Sequence, residues 1–579
     1  MTLYPTTKAL LIAVLSCVPA FAAYSEGQVG ACAFRDTHFL PQTLEDYGAG
    51  CGYVVAFTLL GHPESDAALQ ALAGLERRYA RQGIVFLNLN ISPEDSLFDV
   101  AQDAMWRKAT FPFGKDMDRC MEQALGVRAP GTVALLDSEL SPLYLGDASG
   151  LISPLQALLS GSMELPLAQA TPQPASKESA PSGAQPPTYA NLAPLVSQNC
   201  MPCHSGSGVG PMALNSYTAL SNRSAMVAEV LAEERMPPWY AHGGDLPFTN
   251  APTLTRTDRR LFKHWHDAGK PEGATVAEPA PAPAIAFTPD IKITASAPTE
   301  LPAFGYIEYV EIWLPVAVDE DVWIQGLRIV PSNSRVLHHA ALVALAPEES
   351  TETMGRALAF TAPGMPPFTF PDGAASRIPK GSRLLFRLHY VTTGKPEQDT
   401  ISVELMFPKG PVMQEVYTVI TSKRGFTIPA HAAQHEMTHE ATLDRTLSVL
   451  GVSTHMHLRG KYARMTAVQP DATEIDLLTV PAWNFNWQLV YYVQPGTTVL
   501  PAGTILRLTA GFDNSRFNPY NPAPQKEVRH GAQTTDEMME GILLAVDPSE
   551  KLNLVVNPEQ QRAALRKADV PAPTPLTLR

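Results

Sequence analysis

Residues 453–461 read Ser-Thr-His-Met-His-Leu-Arg-Gly-Lys, so two histidines lie two positions apart. Successive side chains of a β-strand point to opposite faces, so His455 and His457 would share one face and could bind one metal ion. Short apolar stretches separated by Gly and Pro turns surround this motif, for example residues 311–315 and 384–390. Beyond residue 285 this pattern predicts all-β sandwich structure.

Further candidate metal ligands are spread over the same half of the chain, and they are His338, His339, His389 and Met538. Imidazole suits copper, whereas a thioether is a soft ligand that favours Cu(I). We predict one copper site formed by the three histidines and a second in which Met538 joins His455 and His457. Adjacent histidines on a strand point to opposite faces, so the pair at 338–339 requires a strand end or a bulge.

The order of these motifs resembles that of the copper type II, ascorbate-dependent monooxygenases, and in particular of bacterial relatives of peptidylglycine α-hydroxylating monooxygenase. The resemblance covers about residues 285–548 and implies two jelly-roll-like copper domains, 286–412 and 413–548, facing each other across a solvent cleft. It implies that the three-histidine site passes one electron and that O2 reacts at the site of His455, His457 and Met538. The implied reaction is hydroxylation of a substrate C–H bond.

Two residues of this chain depart from the pattern of the peptide-amidating enzymes. Those enzymes carry an Arg two positions before the His-x-His motif and an Asn two positions after the ligand Met, where this chain has Ser453 and Glu540. An acidic residue disfavours a substrate carboxylate, so a peptide ending in Gly is not expected. The substrate, a small molecule or another peptide, stays open.

A second redox motif, Cys200-Met201-Pro202-Cys203-His204, is typical of covalent c-type haem attachment. The two thiols bind the haem vinyl groups and His204 binds the iron, whereas a zinc knuckle or a dithiol would not explain the adjacent histidine. Met236 is the predicted sixth ligand and Met212 its alternative. We predict a small all-α cytochrome c-like domain at residues 189–275.

Strand and helix patterns alternate before it, at residues 53–58, 67–81, 83–89 and 127–137, which predicts a parallel βαβ core. The segment 23–160 resembles the redoxin branch of the thioredoxin family, and the resemblance implies a cis bond before Pro130. Redoxins carry a nucleophilic Cys where this chain has Gly61-His62-Pro63-Glu64. Thiol chemistry requires a thiolate, so a docking or scaffold role is predicted instead.

Residues 1–22 match a signal peptide, with Lys8 before an apolar run and a small-x-small cleavage site at 20–22. A periplasmic or secreted location follows, with lipid anchoring through Cys17 as the alternative, and no transmembrane segment is expected. Residues 161–188 and 276–285 are Pro- and Ala-rich linkers, and the tail 549–579 is expected to fray. The net charge of −14 argues against a nucleic-acid partner.

Three cysteines remain once the haem motif and Cys17 are set aside. Cys32 and Cys51 are close in sequence and could form a disulfide, which would leave Cys120 buried and unpaired, although the sequence does not fix this pairing. Together these features predict a dicopper monooxygenase. Its electrons would come through the haem from an ascorbate-like reductant or a periplasmic redox protein. The alternative is a copper- and haem-binding module that transfers electrons or senses redox state without oxygenation.

Overall fold

The computed structural model describes residues 29–48, 50–162, 186–206, 210, 212–274, 279, 287–351, 355–362 and 365–569. The predicted signal peptide, with Cys17, and most of both predicted linkers lie outside these residues. None of the described helices combines the length and the apolar composition that crossing a membrane requires.

A seven-stranded sheet between two apolar cores forms the first part of the protein. The strand Gly52–Thr58 pairs in parallel with Ile84–Asn90 and antiparallel with Thr132–Asp137. This βαβ unit followed by an antiparallel hairpin and a last helix is the thioredoxin-like order that the sequence predicted. The other strands are Phe34–Asp36, Pro41–Gln42, Phe113–Lys115 and Pro142–Gly146, and the helices are Pro63–Tyr79, Leu97–Trp106, Cys120–Leu125 and Ile152–Ser160.

Two details of this region differ from expectation. The disulfide joins Cys32 to Cys120, with their Cα atoms 5.4 Å apart, and Cys51 is a free, exposed thiol. The pairing of Cys32 with Cys51 was therefore wrong, because sequence proximity did not bring those side chains together. The described chain has a cis bond at Met236–Pro237 and none before Pro130, so that implied feature was also wrong.

A helical segment with its own apolar core follows the first linker. Its core joins residues such as Leu192, Val196, Leu220, Phe262 and Trp265. The helices are Tyr189–Asn199, Met201–His204, Tyr217–Ser221, Ser224–Ala232 and Arg256–Asp267.

The C-terminal half is rich in β-sheet, as predicted. Two four-stranded sheets enclose the first sandwich core, and their strands are Val310–Trp313, Arg383–Tyr390, Leu337–Leu345 and Arg356–Thr361 in one and Phe368–Thr369, Gly326–Val330, Ser402–Met406 and Ile291–Thr294 in the other. A third four-stranded sheet holds His435–Thr442, Ile505–Phe512, Gly460–Val468 and Glu474–Val480.

A seven-stranded sheet crosses the predicted boundary at 412/413. It joins Val322–Ile324, Ala374–Ile378, Gln414–Ser422, Glu540–Val546, Leu447–His455 and Tyr491–Tyr492, and Val499–Leu500 also pairs with Leu447–His455. The smaller strands are Thr299–Leu301 with Glu397–Asp399, Thr427–Ile428 with Val528–Arg529, and Val316–Val318 with Leu565–Lys567. The two β-sandwich regions therefore share one sheet.

Part of the C-terminal tail is ordered against the first sandwich. Helix Pro558–Ala564 precedes strand Leu565–Lys567, and Ala564 and Leu565 are buried in the first sandwich core. The expectation of a frayed tail was therefore wrong for these residues, because two apolar side chains find a buried site.

Candidate metal centre

A bulge at the start of the strand Leu337–Leu345 allows two adjacent histidines to reach one cluster. The register against the strand Arg383–Tyr390 shifts between Leu337 and His339, so His338 has no residue opposite. His339 pairs in register with His389. The irregularity that adjacent histidines require is therefore present.

The three histidines can offer ring nitrogens that all lie within 4.8 Å of one another. Nδ1 of His338 and Nδ1 of His389 are 3.1 Å apart. Two nitrogens about 2.0 Å from a shared tetrahedral ion would be about 3.3 Å apart. Nε2 of His339 is buried without a hydrogen-bond partner among the described atoms. The mutual spacing of the ring nitrogens fits a bound metal ion.

Burial keeps these imidazoles neutral. Loss of water lowers the pKa of His338 to about 4, against a hydrogen bond to Asn486 that raises it. Burial, followed by the charge of His338, lowers the pKa of His389 to about 3. For His339, burial and the neighbouring histidines hold the pKa well below its ordinary value. The neutral imidazole is the form that binds a metal ion.

The strand Leu447–His455 ends inside the His-Met-His motif. His457 lies in the following turn, so the predicted common strand face was wrong, yet the ring centroids of His455 and His457 are 5.0 Å apart. Nδ1 of His457 donates to the carbonyl oxygen of Asp536 at 3.2 Å, and Nδ1 of His455 donates to Oε1 of Gln488. In this tautomer Nε2 of each ring keeps a free lone pair.

Glu537 fixes the segment that carries Met538. Its carboxylate accepts hydrogen bonds from the backbone N–H groups of His457 at 2.9 Å, Arg459 at 2.6 Å and Met538 at 3.2 Å. Burial raises the pKa of Glu537 to about 7, and these hydrogen bonds oppose the rise. The backbone of half-buried Met538 is thus held beside the turn that carries His457.

One aromatic ring contacts both sets. The centroid of Phe485 lies 5.0–5.6 Å from the rings of the three-histidine set and 6.3 Å from His457. His457 is 1% exposed, and Phe485 is also buried. The two sets therefore share one buried aromatic neighbour.

Two further side chains contact both sets. The amide of Gln488 accepts from His455 and lies with its Nε2 3.4 Å from Nδ1 of His339. The ring of Tyr309 stacks on His389 at 5.3 Å and lies 6.5 Å from His457. Gln488 and Tyr309 therefore each contact one histidine of the first set and one of the second.

Sequence reasoning missed these residues. Phe485, Asn486 and Gln488 belong to residues 481–490, which we call the bridging loop. Its sequence, Pro-Ala-Trp-Asn-Phe-Asn-Trp-Gln-Leu-Val, places three aromatic rings and three amides in six consecutive positions between strands. That concentration was the available signal, because binding residues lie disproportionately on loops that a rigid scaffold positions.

The haem-motif residues lie at the junction of two helices. Cys200 and Cys203 are free, half-buried thiols, and burial raises the pKa of Cys200 to about 12 and that of Cys203 above its usual value. Nδ1 of His204 donates to the carbonyl oxygen of Met212 at 3.0 Å, which leaves Nε2 with a free lone pair. The free thiols and this tautomer fit covalent haem attachment with His204 as an iron ligand.

The two candidate sixth ligands occupy different places. Met212 lies beside His204, through the carbonyl contact described above. Met236 follows the helix Ser224–Ala232, and its carbonyl oxygen accepts from Nη1 of Arg259 at 3.1 Å. Both side chains are half-buried.

The two residues that depart from the peptide-amidating pattern are buried on neighbouring strands. Glu540 pairs in register with His455, and one of its carboxylate oxygens accepts from Oγ of Ser422 at 3.3 Å. The hydroxyl of Ser453 donates to the carbonyl oxygen of Leu489 at 2.8 Å.

No family model and no curated protein matches the chain. Solved structures resemble its N-terminal part. A hypothetical protein from Sinorhizobium meliloti is 22% identical over 24% of this chain and 86% of its own, with a TM-score of 0.22. The Xanthomonas campestris bacterioferritin comigratory protein is 17% identical over 23% of this chain and 94% of its own, with a TM-score of 0.21. A thioredoxin-like protein from Aeropyrum pernix is 13% identical over 22% of this chain and 88% of its own, with a TM-score of 0.20. The thioredoxin-like fold rests on the strand order rather than on these similarities.

Proposed function

We propose that the protein is a copper-dependent monooxygenase that hydroxylates a C–H bond of a small molecule or peptide with O2. Electrons would pass through a covalently attached c-type haem. The observation that carries the proposal is the buried cluster of His338, His339 and His389, whose ring nitrogens approach within 4.8 Å. A second pair of histidines beside it supports two metal ions rather than one.

Copper would supply one-electron chemistry and the activation of O2 at these side chains. The three-histidine set offers neutral imidazoles, which suits one ion. His455, His457 and Met538 offer two imidazoles and a thioether, which suits the other and favours Cu(I). Phe485 and Tyr309 keep bulk water from the histidines that they cover.

Haem would supply single electrons to the histidine sites. Cys200 and Cys203 would carry the two thioether bonds, and the Met212 carbonyl would orient the ring of His204. Met236, or Met212 as the alternative, would supply the sixth ligand, and residues 189–275 would form a cytochrome c-like domain.

The remaining assignments concern the surroundings of the protein. We place it in the periplasm or outside the cell, delivered by a signal peptide at residues 1–22 or anchored by lipid at Cys17. The Cys32–Cys120 disulfide supports an oxidising compartment. The external donor would be an ascorbate-like reductant or a periplasmic redox protein.

The second candidate function is electron transfer or redox sensing without oxygenation. The observation that favours it is the closure of the centre, since the Phe485 ring packs against both sets and His457 is 1% exposed. An oxygenase must admit a substrate beside one of its metal ions. An electron carrier has no such requirement.

The response of reduced haem to O2 separates the two functions. For a monooxygenase, haem reoxidation by O2 should require copper, and Met538→Ala should slow the copper-dependent part at least ~10-fold, about 1.4 kcal/mol in activation free energy. Met226→Ala, in an exposed helix position, is the control. A Met538→Ala protein that matches this control, with both at wild-type rate, would leave electron transfer as the function.

A further inference from the structure

The backbone that follows Met236 forms hydrogen bonds with the second β-sandwich, residues 413–548. The backbone N–H of His242 donates to the carbonyl oxygen of Thr479, and that of Asp245 to Asp476, both at 2.9 Å. Farther on, Thr249 donates to the carbonyl oxygen of Tyr492 at 2.9 Å. Residues 239–250, which we call the docking segment, are therefore fixed against the same sandwich that carries His455 and His457.

Tyr240 is the most enclosed aromatic residue of the docking segment. It is 3% exposed, and its ring contacts Phe39 at 5.9 Å and Phe98 at 5.5 Å, both in the thioredoxin-like part. Its hydroxyl oxygen accepts a hydrogen bond from Nδ2 of Asn484 at 2.9 Å. The ring packing holds the hydroxyl group in one position relative to the bridging loop.

In the bridging loop, the residues on either side of Asn484 contact the histidines. Phe485, the next residue, packs on all three histidines of the first set. On its other side, Nε1 of Trp483 donates to the carbonyl oxygen of His457 at 3.1 Å. One loop thus contacts the docking segment and both histidine sets.

We propose that Tyr240, Asn484 and Phe485 form the electron-transfer contact between the haem-binding segment and the three-histidine set. The inference rests on the proposed function, because it requires both haem and copper. In the balanced step the ferrous haem loses one electron and Cu(II) at the histidines gains it, without transfer of a proton. The route follows covalent bonds from Met236 to Tyr240, crosses the hydrogen bond to Asn484 and continues along the chain to Phe485. The ring of Phe485 packs on the imidazoles at centroid distances of 5.0–5.6 Å.

The test is flash photoreduction of the haem under nitrogen, with Cu(II) bound and no substrate. Haem absorbance and the Cu(II) electron paramagnetic resonance signal are followed together. Tyr240→Phe removes the hydroxyl and keeps the ring packing, and Asn484→Ala removes its donor. Asn250→Ala is the matched control, because it removes hydrogen bonds to Val490 and Tyr492 from the same docking segment.

We expect both test variants to keep haem and copper but to slow internal electron transfer about tenfold, or about 1.4 kcal/mol in activation free energy. The Asn250→Ala protein should stay close to wild type. If all three variants transfer electrons at the wild-type rate, the contact is wrong and the proposed function stands. If ferrous haem persists in copper-loaded wild-type protein, the proposed electron supply fails and this inference fails with it.

Discussion

The amide of Gln488 contacts one histidine from each set. Hydrogen bonds of this kind fix the tautomer and orientation of a metal-binding imidazole, and their loss costs roughly 10–100-fold in metal affinity. The ring of Tyr309 stacks on His389. The position of each imidazole therefore depends on residues that bind no metal themselves.

Gln488→Met should weaken copper binding about 10-fold or more, because the side chain keeps its length and loses both amide contacts. Competition with a copper chelator measures the affinity. Gln494→Met, at an exposed position near the same loop, is the control. Equal affinities in the two variants would show that the amide does not orient the ligands.

Buried Asp116 should make the thioredoxin-like part less stable as pH rises. Burial raises the pKa of its carboxyl to about 6, above the value of about 3.9 in an unfolded chain. The folded state then holds the proton more tightly, so its stability falls between about pH 4 and pH 6, by at most about 3 kcal/mol. Thermal unfolding from pH 4 to 7 should show this loss in wild type and a flatter profile in Asp116→Asn. If the unfolding temperatures of wild type and Asp116→Asn changed with pH in parallel, the role of Asp116 would be contradicted.

Strands and helices show which features the sequence could predict. The parallel βαβ core was visible because its strands are continuous apolar runs, and the bulge at His338 followed from the alternation of side chains. The end of a strand at His455 was not visible, because the alternating pattern continues through His457. The pairing of Cys32 with Cys120 depends on contacts between elements 88 residues apart, which local patterns do not contain.

That disulfide should stabilise the thioredoxin-like part. It closes a long loop, so the Cys32→Ser, Cys120→Ser protein should lose roughly 2–5 kcal/mol of unfolding free energy in that region. The midpoint of urea unfolding, followed by hydrogen exchange in the strand Gly52–Thr58, measures the loss. Cys51→Ser changes a free, exposed thiol and should leave the midpoint unchanged. A disulfide-free protein with the same midpoint as this control would contradict the expectation.

The thioredoxin-like region packs against both the helical segment and the second sandwich. Phe39, Leu97 and Phe98 join Tyr240 in the core of the second sandwich. Arg35 pairs with Glu229 at 2.6 Å and with buried Glu233, both in the helical segment. The predicted scaffold role is consistent with these contacts, which could not be read from the sequence because their partners are about 200 residues apart.

Arg35→Met should loosen the helical segment, because it leaves the buried carboxylate of Glu233 with one arginine instead of two. The cost should be about 1–3 kcal/mol. Limited proteolysis should then cut residues 189–267 faster than in wild type. Arg81→Met, at an exposed position of the same region, should leave cleavage unchanged, and equal rates in both variants would count against the scaffold role.

The central claim is that one chain binds two copper ions and one haem. The direct measurement is the copper and haem content of protein purified from a periplasm that attaches haem, with copper supplied. The account predicts two coppers per covalent haem, falling to one when His339→Ala removes the three-histidine site. Copper content of one or none in the wild-type protein, or the absence of covalent haem, would contradict it.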